Sequence, residues 1–111
     1  MEIGQSLPAR DAPHRELLPN RRPAVTLGFE RDGSHYQMTI GYFADGRVGE
    51  IFLNADRPDS FLDALTSDAA ILASIALQYG ASLEEIAHAL KRDGRGIAGS
   101  PIGAALDRIE P

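Results

Sequence analysis

Polar and apolar residues alternate strictly over two stretches early in the chain. Val25, Leu27 and Phe29 are separated by Thr26 and Gly28, and Tyr36, Met38, Ile40 and Tyr42 by Gln37, Thr39 and Gly41. A period of two puts each apolar set on one side of an extended chain, which predicts two half-buried β-strands. Arg31-Asp-Gly-Ser34 lies between them, and its Asp32-Gly33 pair supplies the positive φ angles of a tight hairpin. Asp45-Gly46 repeats the device ahead of a third strand, Arg47 to Asn54, completing a three-stranded antiparallel meander. That strand is apolar on both faces, with Val48 and Phe52 on one and Ile51 and Leu53 on the other. Helices of this chain or a second subunit are therefore needed to cover it.

Beyond Asp56-Arg-Pro-Asp59 the period becomes helical. Ser60, with Asp63 three residues on, resembles a capping box, and Phe61, Leu65, Ala69, Leu72, Ala76 and Tyr79 then share one face. Ile71, Ile75 and Leu77 widen the stripe, which predicts a central, largely buried helix ending at Gly80. Ser82-Leu-Glu-Glu85 is a full capping box. It opens a second helix expected to bury Leu83, Ile86, Ala87 and Leu90 and to carry Lys91 and Arg92 in its last turn, where the helix dipole favours cations. A glycine-rich loop, Asp93 to Gly99, leads to Ser100-Pro101, an N-cap with proline at the first helical position, and to a short final helix reaching about Ile109. The fold class is α+β: a three-stranded antiparallel β-meander followed by two packed helices and a short C-terminal helix.

Composition narrows what this fold does. With 111 residues the chain is one domain's worth, and without cysteine it has neither a disulfide framework nor thiolate chemistry. Residues 1–23 hold four prolines, a net charge of +1 and the apolar pair Leu17-Leu18, so a flexible arm is expected there and the folded domain over 24–111. The arm's other reading is a segment that docks through Leu17, Leu18 and its arginines. Residues 24–111 carry a net charge of −6, which disfavours a phosphate backbone as partner. The longest apolar run, Ala69 to Ala73, is far below bilayer length, and the start of the chain lacks the apolar core of a signal peptide. A soluble, cytoplasmic protein without membrane contact is expected.

Candidate chemistry is sparse. Ala76, Gly80 and Ile86 have the spacing of a DNA-reading helix-turn-helix, but any tight helical corner has the same requirement. Glu84 and Glu85 at the start of the second helix would face phosphates, so DNA binding is not expected. His14, His35 and His88 have no second ligand at useful spacing, and no metal or cofactor is expected. The carboxylates Asp56, Asp59, Asp63, Glu84 and Glu85 sit at helix starts, and Ser60, Ser82 and Ser100 read as caps, which leaves no catalytic set. The Asp93–Gly99 loop has more glycine than packing requires. Arg92, Gly94, Arg95, Gly96 and Ser100 form the candidate binding site, on the argument that backbone N–H groups beside a guanidinium accommodate an anion such as a nucleotide phosphate.

Three stretches taken together carry a resemblance: Gly46-Arg-Val-Gly-Glu-Ile-Phe52, Ser74-Ile-Ala-Leu-Gln-Tyr-Gly80 with Leu83-Glu-Glu-Ile86, and Ser100-Pro101. Over roughly residues 24–109 the chain resembles the TSCPD domain. That family includes small stand-alone proteins and the C-terminal domain of adenosylcobalamin-dependent, class II ribonucleotide reductases. The run that names the family corresponds here to Ala98-Gly-Ser-Pro-Ile102, with Ser100 in the cysteine's place, so a thiol role does not carry over. The reductase's radical-generating barrel has no counterpart in 111 residues. The resemblance implies a non-catalytic accessory or regulatory module with a protein partner, a ribonucleotide reductase being the first candidate. The apolar third strand adds the expectation of a homodimer. The alternative is a nucleotide-phosphate or nucleic-acid binder using the Arg92/Arg95 loop.

Overall fold

The computed structural model describes residues 14–109. Strands β1 (Ala24–Arg31), β2 (Ser34–Tyr42) and β3 (Val48–Ala55) form one antiparallel sheet in the order β1-β2-β3. Helices α1 (Phe61–Gln78), α2 (Leu83–Ala89) and α3 (Pro101–Asp107) follow. The α+β meander expected from the periodicity is the observed fold. Asp32 (φ 50°) and Gly33 (φ 81°) take the left-handed conformations the first hairpin requires.

One sheet face carries the core. Phe29 is opposite Tyr36, Leu27 opposite Met38 and Ile40 opposite Ile51, and the Phe29 and Tyr36 rings stack at 5.3 Å. Met38, Ile51 and Leu53 are almost wholly removed from water. Against this face α3 buries Ile102, Ala105 and Leu106, while α1 adds Ala70, Ala73 and Leu77. Ser100 accepts from Gly103 N–H and Pro101 follows, so α3 is capped as its sequence indicates.

The third strand does not carry Val48 and Phe52 on one face as its alternation suggests. The register shifts at Gly41/Tyr42, so that Gly41 faces Glu50 but Tyr42 faces Val48. Gly49 is the extra residue of a β-bulge, which turns Val48 onto the core side and leaves Phe52 half exposed on the other. A Cβ at Gly49 would lie 2.8 Å from Leu18 and 2.9 Å from Phe43, so the bulge is also where the chain before β1 crosses the sheet. Arg15 donates to Gln78, the Glu16 N–H to the Gln78 carbonyl, and Arg22 pairs with Glu50. Residues 15–22 of the proline-rich segment thus contact the folded body, while residues 1–13 lie outside the described part.

The largest departure concerns α1. It runs along the free edge of β3, to which it turns a polar row beside the buried Ala70, Ala73 and Leu77. Asp63 accepts from Ala55 N–H (2.9 Å) and Ser67 donates to the Leu53 carbonyl (3.2 Å). Ser74 accepts from Ile51 N–H (2.8 Å), and Gln78 donates to the Gly49 carbonyl (2.8 Å). The spacings agree. Fifteen helical residues advance about 22 Å and six strand residues about 20 Å, so the two ladders keep step from end to end. Four residues of an edge strand thereby have a backbone group served by helix side chains instead of a fourth strand.

With that row on the strand edge, most of the apolar stripe expected in the core faces water, Leu77 excepted. Phe61 is 80%, Leu72 67% and Leu65 54% exposed, and Ile71 and Tyr79 are about half exposed. The expectation of a largely buried helix is therefore corrected: apolar periodicity marks a stripe, but the hydrogen-bonding demand of the β3 edge decided which side turned inward. By length and composition α1 would suffice to cross a membrane, yet its polar side is committed to β3.

α2 also departs from expectation. Leu83, Ile86, Ala87 and Leu90 pack against the core but remain half-buried. The helix ends at Ala89 because Leu90 is already extended (ψ 154°), and Arg92 pairs with Ala98 in a small β-bridge. Lys91 and Arg92 therefore lie past the helix, not in its last turn.

Candidate functional site

The glycine-rich loop closes on itself. Asp93 accepts at one carboxylate oxygen from Arg95 N–H (2.8 Å) and Ile97 N–H (3.0 Å), and Gly96 N–H bonds the Asp93 carbonyl. The donors that would hold an anion already hold the loop's own carboxylate. Arg92 binds Asp107 through both guanidinium Nη atoms (2.8 and 2.7 Å) and also donates to the Gly96 carbonyl. These bonds hold the Asp107 carboxyl below its usual range and raise the Arg92 guanidinium. Ser100 is engaged as the α3 cap. Gly94 and Gly96 are exposed, and Arg95 extends into solvent with only a long 3.8 Å approach to Asp93. The five predicted residues are thus close together in one loop, but Arg92 and Ser100 are occupied structurally, which does not favour the phosphate-binding alternative.

A larger concavity lies elsewhere. The β2–β3 loop, the α1–α2 corner and the end of α3 enclose an open cleft of about 770 Å³. Leu77, Leu106 and Ile109 line it as buried core residues, with Val48 and Leu83 half-buried beside them. Gly80 permits the corner, since its φ of 106° lets the chain reverse between α1 and the Ser82–Glu85 capping box. The charged lining is three carboxylates, Asp45, Glu84 and Asp107, against one guanidinium, Arg47.

Arg47 is already paired. It binds Glu16 (2.9 and 3.0 Å) and Asp45 (2.7 Å) and lies 4.6 Å over the Phe43 ring. The Glu16 and Asp45 carboxylates hold its pKa well above the usual value. The Arg47 backbone N–H and guanidinium keep Asp45 below its own. The cleft therefore presents an apolar floor under an acidic rim.

None of the cleft residues was singled out as a site from the sequence. Their positions in the chain are far apart, and only the Asp45-Gly46 turn and the Gly80 corner signal that two of its walls are turns. Among the described residues, no group of three or more His, Asp or Glu side chains is placed to hold a metal ion.

A model of the TSCPD domain matches residues 11–109, and the chain belongs to that family. Its relatives include the vitamin B12-dependent ribonucleotide reductase of Agrobacterium fabrum, 40% identical over 75 residues, covering 68% of this chain and 6% of that enzyme. The enzyme of the same name from Streptantibioticus cattleyicolor is 36% identical over 72 residues, covering 65% of this chain and 12% of the enzyme. That of Rhodopirellula baltica is 35% identical over 74 residues, covering 67% and 7%. The alignments thus cover only about a tenth or less of these reductases. No solved structure matches the chain.

Proposed function

We propose that this protein is a non-catalytic accessory module that docks on a ribonucleotide reductase of the adenosylcobalamin-dependent class and bears on deoxyribonucleotide supply. The observation that carries the reading is the cleft between the β2–β3 loop, the α1–α2 corner and α3. It is concave, apolar at its floor and acidic at its rim, in a domain that B12-dependent reductases carry within their own chains. Such a seat fits a partner segment that offers apolar side chains flanked by lysine or arginine. A cytoplasmic setting belongs to the same reading.

The test is binding of the full chain to a purified B12-dependent ribonucleotide reductase, followed by co-elution and calorimetry. A complex that weakens with added salt and with Glu84→Lys, a reversal on the exposed rim, is the expected result. Absence of any complex at low salt removes the reading. The competing phosphate-binding reading predicts affinity for nucleotides that falls with Arg95→Ala; the Asp93 carboxylate within the loop argues against it.

A further inference from the structure

The exposed stripe of α1 is not part of the cleft, and its shape is the opposite: a convex helical ridge. Phe61, Leu65, Leu72 and Tyr79 run its length, Ile71 flanks them, and Phe52 lies on the neighbouring strand. Phe52 is level with Ile71, because Ser67 and Ser74 bond the residues on either side of it, Leu53 and Ile51. These side chains put several hundred Å² of apolar surface in water. That reaches or passes the roughly 300–600 Å² of the largest patch on an ordinary monomer and approaches the roughly 800 Å² per partner of a stable interface.

We infer that this ridge is the interface of a two-fold symmetric homodimer, in which the α1 helices of two copies pack antiparallel. The inference is independent of the reductase reading. Residues 61, 65, 72 and 79 fall at the a and d positions of a heptad, the seam along which helices pair. Asp68 is the single charge on that side of the helix. A two-fold axis at Leu72 sets Leu65 of each copy against Tyr79 of the other and Asp68 against the other copy's Ala76. At 1.5 Å per residue the two Asp68 carboxylates are then separated by about 12 Å along the helices, beyond the screening length of about 8 Å at physiological salt. The seam is thus self-complementary, as a two-fold interface must be.

A lipid surface is the less favoured occupant. Interfacial helices draw on lysine and arginine facing the headgroups, whereas α1 contains neither and its polar side is bonded to β3.

Sedimentation equilibrium of the full chain decides the matter. A mass of twice 11.9 kDa is expected, falling to 11.9 kDa in Leu72→Glu with an increase in dimer dissociation constant of about 30-fold or more. Leu72 is exposed in the single chain, so the variant should keep its far-UV circular dichroism and unfold cooperatively.

A second measurement does not depend on that variant. The chain has no cysteine, so Leu72→Cys places one thiol at the proposed axis, within the roughly 7 Å reach of a disulfide to its symmetry mate. Mild oxidation should yield covalent dimer from Leu72→Cys and little from Lys91→Cys on the distant loop. A monomeric wild-type chain, or equal cross-linking of both variants, overturns the inference. A monomer that floats with phosphatidylcholine vesicles overturns it in favour of a lipid surface. A dimer that binds no reductase leaves the inference standing and removes the proposed function alone.

Discussion

Helices α1 and α3 make opposite use of their residues. α1 is eighteen residues long and rich in Leu, Ile and Ala, yet most of its large apolar side chains face water. α3 has seven residues, and five of them, Ile102 to Leu106, are buried. The difference follows from what each helix packs against. α3 meets the apolar face of the sheet, where contact is hydrophobic apart from the Arg108 guanidinium 4.2 Å over the Phe29 ring. α1 meets the edge of β3, where every second residue presents an N–H or C=O, and a buried unpaired backbone group costs about 1–3 kcal/mol. Serving four strand residues outweighs hiding the stripe from Phe61 to Tyr79.

The largest effects should separate the two helices. Leu106→Ala should cost about 2–5 kcal/mol in urea denaturation, at any protein concentration. Leu72→Ala should cost less than about 0.5 kcal/mol when dilute, and the proposed dimer predicts that its effect grows with concentration. Equal costs at every concentration would erase the contrast.

Within α1 the polar side should matter more than the apolar one. Ser74→Ala strips the buried Ile51 N–H of its partner and should cost about 1–3 kcal/mol. Hydrogen exchange at Ile51 should accelerate in that variant and stay unchanged in Leu72→Ala. A smaller effect of opposite sign is expected at Thr66, whose buried hydroxyl has no hydrogen-bond partner among the described residues. Thr66→Val should raise stability by up to about 1 kcal/mol, and a clear loss would mean the hydroxyl is served in solution.

The smallest effect is one of pH. Asp107 has its folded-state pKa lowered below the usual carboxylate range, first by the hydrogen bonds from Arg92 and then by its charge. A lowered folded pKa contributes stability that is fully present above the unfolded value and is lost as pH falls through the folded one. The stability gap between wild type and Asp107→Asn should therefore be constant from neutral pH down to about 4 and close below it. A gap that persists unchanged at strongly acid pH would show that the ion pair with Arg92 is not its source.

Much of the fold was legible because its determinants are local. The hairpin is written in Asp32-Gly33, α2 in its Ser82–Glu85 box, and α3 in Ser100-Pro101, each a short-range match of residue to backbone. The bulge at Gly49 was not legible, since nothing in Arg47 to Asn54 states that Tyr42 will face Val48. The cleft was illegible for the same reason: Asp45, Glu84 and Asp107 meet only when three separate segments converge. The glycine loop misled in the other direction. Its composition is that of an anion cradle, but the Asp93 carboxylate two residues before Arg95 fills it.

The sequence by itself determined the strand and helix periods, the turns, the caps and the family, because each depends on residues within a few positions of one another. Which side of α1 faces inward was decided only by the tertiary structure. Amphipathic spacing defines two faces of a helix without naming the inner one. That choice was made by an edge strand whose unpaired backbone groups matched Asp63, Ser67, Ser74 and Gln78 along its length.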